Sequence, residues 1–115
     1  MKAPSTSDKS AQLRSRILAA IRQIPRGKVS TYGAIGRAAG MAQGARYVVR
    51  VLSTSVGLPW QRIVGAGGEI KLRGDSAVEQ RLRLEAEGVS FRGRRVNMAR
   101  HEYKFPRSKK AVGTG

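Results

Sequence analysis

Few residues in this chain could do chemistry, and their types exclude most catalytic mechanisms. The 115 residues include no cysteine, one histidine (His101) and seven acidic residues. Without cysteine there is no thiolate nucleophile, no disulfide and no thiolate metal site. No pair of acidic residues accompanies a segment that could form a pocket, so general acid–base catalysis lacks candidates. The sequence therefore predicts no catalytic residue, no metal and no cofactor.

One segment stands out by its side chains: Pro59-Trp60-Gln61-Arg62, which is followed by Ile63-Val64-Gly65. Trp60 is the only tryptophan of the chain. As a binding residue, its indole would offer a large apolar face to a flat ligand. A single tryptophan in a small protein can equally belong to the core. Its residue type alone leaves both interpretations open.

The charge indicates a polyanionic partner. The net charge is +16, and from Lys9 to Gly68 there is no Asp or Glu at all. Such a field of one sign favours binding to nucleic acid, with double-stranded DNA as the expected partner. A solvated basic face would give the same composition, so charge by itself does not decide.

The sequence carries no sign of a membrane or export segment. No run of eighteen apolar residues occurs, and the polar N-terminus lacks the apolar middle of a signal peptide. We expect an intracellular protein, cytoplasmic and nucleoid-associated if bacterial. No apolar stripe is obviously exposed, which favours a monomer.

The N-terminal third predicts an arm and a long helix. Residues 1–9 are polar and are expected to form a flexible arm. Ser10 is a suitable N-cap for a helix that runs to about Ile24. Apolar residues follow at helical spacing, namely Leu13, Ile17, Leu18, Ile21 and Ile24.

Two shorter helices are predicted next. Ser30 or Thr31 would cap the first, and Gly40 suits its C-terminal turn. The second is expected from about Ala42 to Leu52. Two short helices joined by a glycine-containing turn predict a helix-turn-helix, although simple helix packing gives the same pattern.

The remaining chain predicts short strands around one more helix. The glycine-rich turn at 65–68 precedes Glu69–Leu72 and suggests a small hairpin or paired loop. Ser76-Ala77-Val78-Glu79 has capping-box spacing and would start a helix that runs to Glu87. Gly88 would close that helix, with Val89 available for an apolar contact.

A final hairpin is expected from Val89–Phe91 and Val96–Met98, around Gly93. Residues 104–115 read as a disordered basic tail. The predicted fold is therefore α+β and mainly helical, with a helix-turn-helix and a small hairpin in one domain at residues 10–103.

Four segments in order resemble the O6-alkylguanine-DNA alkyltransferases. Pro59 to Val64 resembles that family's active-site pattern Pro-Cys-His-Arg-Val, with Trp60 at the cysteine position and Gln61 at the histidine position. The others are Ile24 to Gly33, similar to Pro-x-Gly-Lys-Val-x-Ser/Thr-Tyr-Gly, Ala45-Arg46 within Ala-Arg-x-Val, and Glu85 to Val89 of the closing helix. The resemblance covers about residues 11 to 91 and implies the fold of the alkyltransferase C-terminal domain. Because an indole cannot accept an alkyl group as a thiolate does, it points to the non-enzymatic, alkyltransferase-like branch.

The resemblance also implies site residues. Tyr32 would press the phosphate beside the target nucleotide, and Arg46 would enter the base stack from the minor groove. Without the neighbouring motifs, Tyr32 would be a core tyrosine and Arg46 an ordinary phosphate contact. Further DNA contacts are expected from Ser30, Thr31 and Arg50.

The lesion pocket implied by the resemblance would be walled by Trp60, with Tyr32, Gln61, Arg62 and Arg73 around it. Arg73 lies in Lys71-Leu72-Arg73-Gly74-Asp75, where the alkyltransferase-like branch has an arginine and the enzymes a Gly-Gly pair. A plain surface arginine is an equal alternative at this position. Gln61 and Glu87 occupy the places of the enzymes' histidine and glutamate, and we expect them to form a hydrogen-bonded scaffold behind Trp60. Many alkyltransferase-like proteins keep the histidine, so Gln61 is a departure even from that branch.

Three functions were weighed on these grounds. A damage sensor would bind duplex DNA, flip O6-alkylguanine into the pocket and, as the resemblance implies, hand it over to nucleotide excision repair proteins. An enzyme lacks its nucleophile. A plain helix-turn-helix regulator or architectural protein would explain the charge and the two helices, but not Pro59-Trp60-Gln61-Arg62. The sequence favours the sensor.

Overall fold

The computed structural model describes residues 6–106. The predicted class is confirmed, because helices dominate and the strands are short. The helices are α1 (Thr6–Gln23), α2 (Tyr32–Ala38), α3 (Ala45–Ser53), α4 (Gly74–Ala86) and α5 (Met98–His101). The strands are β1 (Ser30–Thr31), β2 (Ile63–Val64), β3 (Phe91–Arg92) and β4 (Arg95–Val96), and single 3-10 turns span Trp60–Arg62 and Ala66–Gly68. No helix among residues 6–106 combines the length and the apolar character needed to cross a membrane.

The core consists of two clusters of buried apolar side chains. In the first, Ile17, Ile21 and Ile24 pack under α2 and α3, as their spacing predicts. The second lies under the other half of the chain and contains Val29, Val64, Leu84, Val89 and Val96. The strands β1 and β2 run between them, since Ile63 belongs to the first cluster and Val64 to the second.

The helix-turn-helix is built from α2, a turn and α3. Thr31 caps α2, because its hydroxyl accepts a hydrogen bond from the Ala34 amide at 3.0 Å. Gly40 has φ +92 in the turn after α2, as expected for a glycine there. The two helices approach so closely that a Cβ on Gly36 would lie 2.9 Å from the Cα of Gly44. The absence of side chains at these two glycines therefore sets the position of α3 relative to α2.

The chain pairs its strands differently from the predicted arrangement after Gly65. β1 and β2 pair in parallel, with Ser30 opposite Ile63 and Thr31 opposite Val64. The predicted hairpin at Glu69–Leu72 is wrong, since Glu69 forms only an isolated antiparallel bridge, to Arg95. Parallel pairing needs a crossover, and here the whole helix-turn-helix supplies it. The final hairpin is confirmed as β3 and β4, with Phe91 opposite Val96.

The ends of α4 illustrate one failed and one successful local prediction. The capping box is wrong, because Arg73 is the N-cap residue and Ser76 lies inside the helix. The C-terminus ends as predicted. The Gly88 amide bonds the Glu85 carbonyl and the Val89 amide bonds the Leu84 carbonyl, both at 3.0 Å, while Val89 is buried. These two bonds form the Schellman motif that a glycine with positive φ allows.

Both predicted terminal segments need correction where the structure describes them. The helix α1 begins at Thr6, so residues 6–9 of the predicted arm are helical and Ser10 is not its cap. Phe105, assigned to the tail, packs against the first core cluster and lies edge-on to Tyr103 with ring centroids 5.0 Å apart. An aromatic ring that finds apolar partners gains from burial, which basic composition does not reveal. The rest of both segments lies outside the described residues.

We predict that Gly36→Ala destabilises the protein by about 1–3 kcal/mol, because the added methyl overpacks the contact with Gly44. Urea unfolding followed by circular dichroism measures this change. Gly33→Ala is the matched control on the same helix. Its Cβ would meet only the flexible end of Arg37, at 3.3 Å, so we expect a change within about 0.5 kcal/mol. Equal stability of the two variants would contradict the close approach of α2 and α3.

Candidate nucleic-acid interface and pocket

Trp60 is placed beside the helix-turn-helix by the parallel strand pair. The turn Trp60–Arg62 leads directly into β2, while β1 leads directly into α2. Because β1 and β2 are paired, Tyr32 at the start of α2 comes next to Trp60. Residues nearly thirty positions apart thus meet in one place, and neither segment could place them alone.

A surface pocket of about 200 Å³ lies between these segments. It is lined by Tyr32, Val49, Leu52, Ser53, Trp60 and Leu72. Most of this lining is apolar or aromatic, which suits a flat, weakly polar group. Burial raises the pKa of Tyr32 above its ordinary value, so its hydroxyl keeps its proton at neutral pH and can donate a hydrogen bond.

Glu87 collects hydrogen bonds from three segments behind Trp60. Its carboxylate accepts from Gln61 Nε2 at 2.8 Å and from Arg62 Nε at 3.0 Å. The Gly27 amide donates to the same carboxylate at 3.3 Å. Arg62 also donates to the Ile24 carbonyl at 2.9 Å. Its charge is therefore engaged in holding the turn in place.

The charged form of Glu87 is favoured by these partners. Burial alone would raise the pKa of the carboxyl group, since only 6% of the Glu87 side chain is exposed. The hydrogen bonds from Arg62, Gln61 and Gly27 outweigh burial and hold the pKa below its ordinary value. Glu87 is therefore ionised at neutral pH, and its neighbours are an amide and a guanidinium, neither of which can take up a proton there.

Gln80 supports the same turn and was not singled out from the sequence. Its side-chain Nε2 donates to the carbonyls of Gln61 and Ile63 at 3.0 and 2.8 Å. Gln80 is completely buried in α4. A signal was present, because Gln80 precedes the buried Leu84 by four residues and so shares its helix face.

The residues predicted for the pocket separate into two groups. Tyr32 and Trp60 line it together. Gln61 and Arg62 contact Glu87 instead, and Gln61 is buried. Arg73 is exposed at the N-terminus of α4, next to Leu72 of the pocket wall. Val49, Leu52, Ser53 and Leu72 were not predicted to line a pocket.

The residues predicted to contact DNA lie on and before the helix-turn-helix. Arg46 and Arg50 are exposed on α3, and among residues 6–106 their side chains form no hydrogen bond or ion pair. Ser30 is completely buried, and the Thr31 hydroxyl caps α2. Within that strand and helix start, solvent reaches only the half-buried Thr31 and Tyr32.

A further basic residue adjoins the pocket wall. The guanidinium carbon of Arg83 lies over the Trp60 ring, 5.5 Å from its centroid. Arg83 also forms an ion pair with Glu79 at 2.7 Å. The sequence gave no hint of this contact, because α4 and the Trp60 turn meet only through tertiary packing.

The comparisons with known proteins agree with this architecture. The family described as 6-O-methylguanine DNA methyltransferase, DNA binding domain, matches residues 12–89. The chain belongs to this family, and the resemblance inferred from the four sequence segments is confirmed.

Its relatives include proteins named for base flipping. It is 44% identical over 77 residues to a DNA base-flipping protein of Vibrio parahaemolyticus, covering 64% of this chain and 77% of that protein. Alkyltransferase-like protein 1 of Schizosaccharomyces pombe is 44% identical over 82 residues, covering 67% and 76%. The structure of S. pombe Atl1 in complex with damaged DNA containing O6-carboxymethylguanine superposes with a TM-score of 0.70, at 33% identity, covering 83% of this chain and 97% of that one.

We predict that Glu87→Gln lowers the free energy of unfolding at pH 7 by about 1–3 kcal/mol, because Arg62 loses its charged partner. The pKa of Glu87 is lowered by folding, so its contribution is present above pH 4.5, the ordinary value, and is lost as pH falls through the lowered one. Denaturant titrations from pH 7 to pH 3 should therefore show the two proteins converging toward acid.

Glu85→Gln on the same helix is the matched control for this variant. Its partner Arg81 lies at 3.1 Å, but both side chains are more than 40% exposed, so we expect a change below about 0.5 kcal/mol. A Glu87→Gln variant with wild-type stability at every pH would contradict the scaffold.

Proposed function

We propose that this protein reads alkylation damage in DNA without repairing it. In this proposal it binds duplex DNA through the minor groove, turns O6-alkylguanine out of the stack and holds the base in the pocket walled by Trp60. The observation that carries the proposal is the pocket between Tyr32 and Trp60, next to the exposed arginine face of α3. Relatives named DNA base-flipping protein, and the S. pombe complex with damaged DNA, support it.

The geometry of α3 supports a division of roles between its residues. Val49 and Ser53 line the pocket, and Arg46 precedes Val49 by three residues, so all three share one helix face. Arg46 would therefore lie beside the place from which a base is extruded. Its guanidinium could fill the gap in the stack while the pocket receives the base. Tyr32, with its protonated hydroxyl, would act on the adjacent phosphate.

The pocket offers binding but no nucleophile. Trp60 occupies the position at which the resemblance places the enzymes' cysteine, and the chain has no cysteine anywhere. Gln61 presents an amide where a general base would be needed, and this amide already donates to Glu87. A bound lesion would leave unchanged. Its retention is useful only if another activity removes it, and we infer hand-over to nucleotide excision repair.

A regulator or architectural protein remains the competing function, since the charge and the helix-turn-helix would serve it equally. The two functions differ in what they discriminate. A regulator should prefer one undamaged sequence over others by several kcal/mol. A damage reader should prefer the lesion in any sequence, because the minor groove carries little sequence information.

We predict tighter binding to a duplex with one O6-methylguanine than to the same duplex without it. The measurement is an equilibrium titration at physiological salt that follows DNA anisotropy and Trp60 emission together. Quenching of Trp60 by the lesion duplex only, with the modified base recovered unaltered, is the expected result. Equal affinity for both duplexes, with a steep salt dependence, would mean that phosphate contacts carry the binding and would overturn the proposal.

We also predict that Arg46→Ala reduces the preference for the lesion, whereas Arg92→Ala does not. Both variants lose one exposed positive charge, so both should weaken binding to either duplex by a similar salt-dependent amount. Only Arg46 lies on the pocket face of α3; Arg92 is in β3. The ratio of the two dissociation constants should fall about fivefold or more in Arg46→Ala alone. Parallel losses in both variants would reduce Arg46 to a phosphate contact.

A further inference from the structure

Arg83 holds the indole of Trp60 from outside the pocket. Its guanidinium carbon is 5.5 Å from the ring centroid, within the range of a cation–π contact. Arg83 is not among the residues that line the pocket, so the guanidinium and the pocket use different parts of the indole. A wall residue of the pocket is thus contacted on its outer side by a positive charge.

The position of this guanidinium is fixed within α4. Arg83 Nε and Nη2 both contact the same oxygen of Glu79, at 2.8 and 2.7 Å. Glu79 lies one helical turn before Arg83, the spacing at which such side chains meet. Two short contacts to one carboxylate restrict the orientation of the planar group. Glu79, Arg83 and Trp60 therefore form a continuous row from the helix to the pocket wall.

We propose that Arg83 is a positioning residue for lesion recognition, which fixes the plane of the Trp60 indole so that the pocket is formed before DNA arrives. This inference rests on the proposed function, since it concerns the same pocket. A wall whose orientation is already set loses less conformational entropy when a base stacks on it. The arrangement also places a positive charge next to the pocket without occupying it.

Arg81 provides a matched control on the same helix. It pairs with Glu85 at 3.1 Å and lies over the ring of Phe91 at 4.2 Å, so it repeats the arrangement of Arg83 with a different aromatic residue. Phe91 does not line the pocket beside Trp60. Arg81→Ala removes the same charge and the same kind of contact from α4, but leaves Trp60 untouched.

The first measurement uses the free protein, in which Trp60 is the only tryptophan. Acrylamide quenching and the emission anisotropy of Trp60 are compared in wild type, Arg83→Ala, Glu79→Gln and Arg81→Ala. We expect stronger quenching and lower anisotropy in Arg83→Ala and, because the guanidinium loses its partner, in Glu79→Gln. Arg81→Ala should match wild type. Circular dichroism melts establish that each variant is folded.

The second measurement is the titration of the O6-methylguanine duplex and its unmodified counterpart. Arg83→Ala should lower the ratio of the two affinities by about two- to fivefold, the effect of an exposed cation–π contact. Arg81→Ala should weaken both affinities together and keep the ratio.

The two measurements separate the possible failures. Wild-type quenching and a wild-type affinity ratio in Arg83→Ala would reduce Arg83 to a surface cation and overturn the inference. If wild type itself binds both duplexes equally, lesion reading is refuted, and with it the role of Arg83 in recognition. The quenching comparison would then still report whether Arg83 orders the indole.

Discussion

The carboxylate of Glu87 is the interaction on which the arrangement of the site depends. It is nearly excluded from solvent, and it receives hydrogen bonds from the loop at Gly27 and from the turn that carries Gln61 and Arg62. Through Arg62 it is connected to the last carbonyl of the first core cluster, at Ile24. A buried charge is tolerated only when it is paired and hydrogen-bonded, so these segments are bound to one another by a common requirement. Trp60 immediately precedes that turn and inherits its position.

This constraint explains how a site can keep its shape while its chemistry changes. In the proposed function, the pocket needs a rigid wall and an apolar lining, and neither depends on a nucleophile. Gln61 satisfies Glu87 through its amide, and Gln80 holds the carbonyl of Gln61 from the other side. The turn is therefore fully hydrogen-bonded without an ionisable group at position 61. A tryptophan beside such a turn presents a binding surface in a fixed place.

The basic residues of the chain do not all serve the same purpose. Arg14 donates to the Thr54 hydroxyl and carbonyl and to Ser55, at the C-terminus of α3. Arg26 donates to the Ala86 carbonyl at the end of α4. Cations at helix C-termini satisfy free carbonyls and oppose the helix dipole, so these arginines stabilise the fold. Net charge alone therefore overstates the number of residues available to DNA.

The sequence by itself determined the features that depend on near neighbours. The spacing of Ile17, Ile21 and Ile24 identified the buried face of α1, and Gly88 identified the end of α4, because helix period and capping are local. The motif around Trp60 identified the family, although not the placement of its residues. Tertiary structure alone decided that β1 pairs with β2, that Gln61 and Arg62 turn toward Glu87, and that Arg83 covers Trp60. Each of these contacts joins segments more than twenty residues apart, and their geometry is set by the packing of the whole core rather than by any local preference.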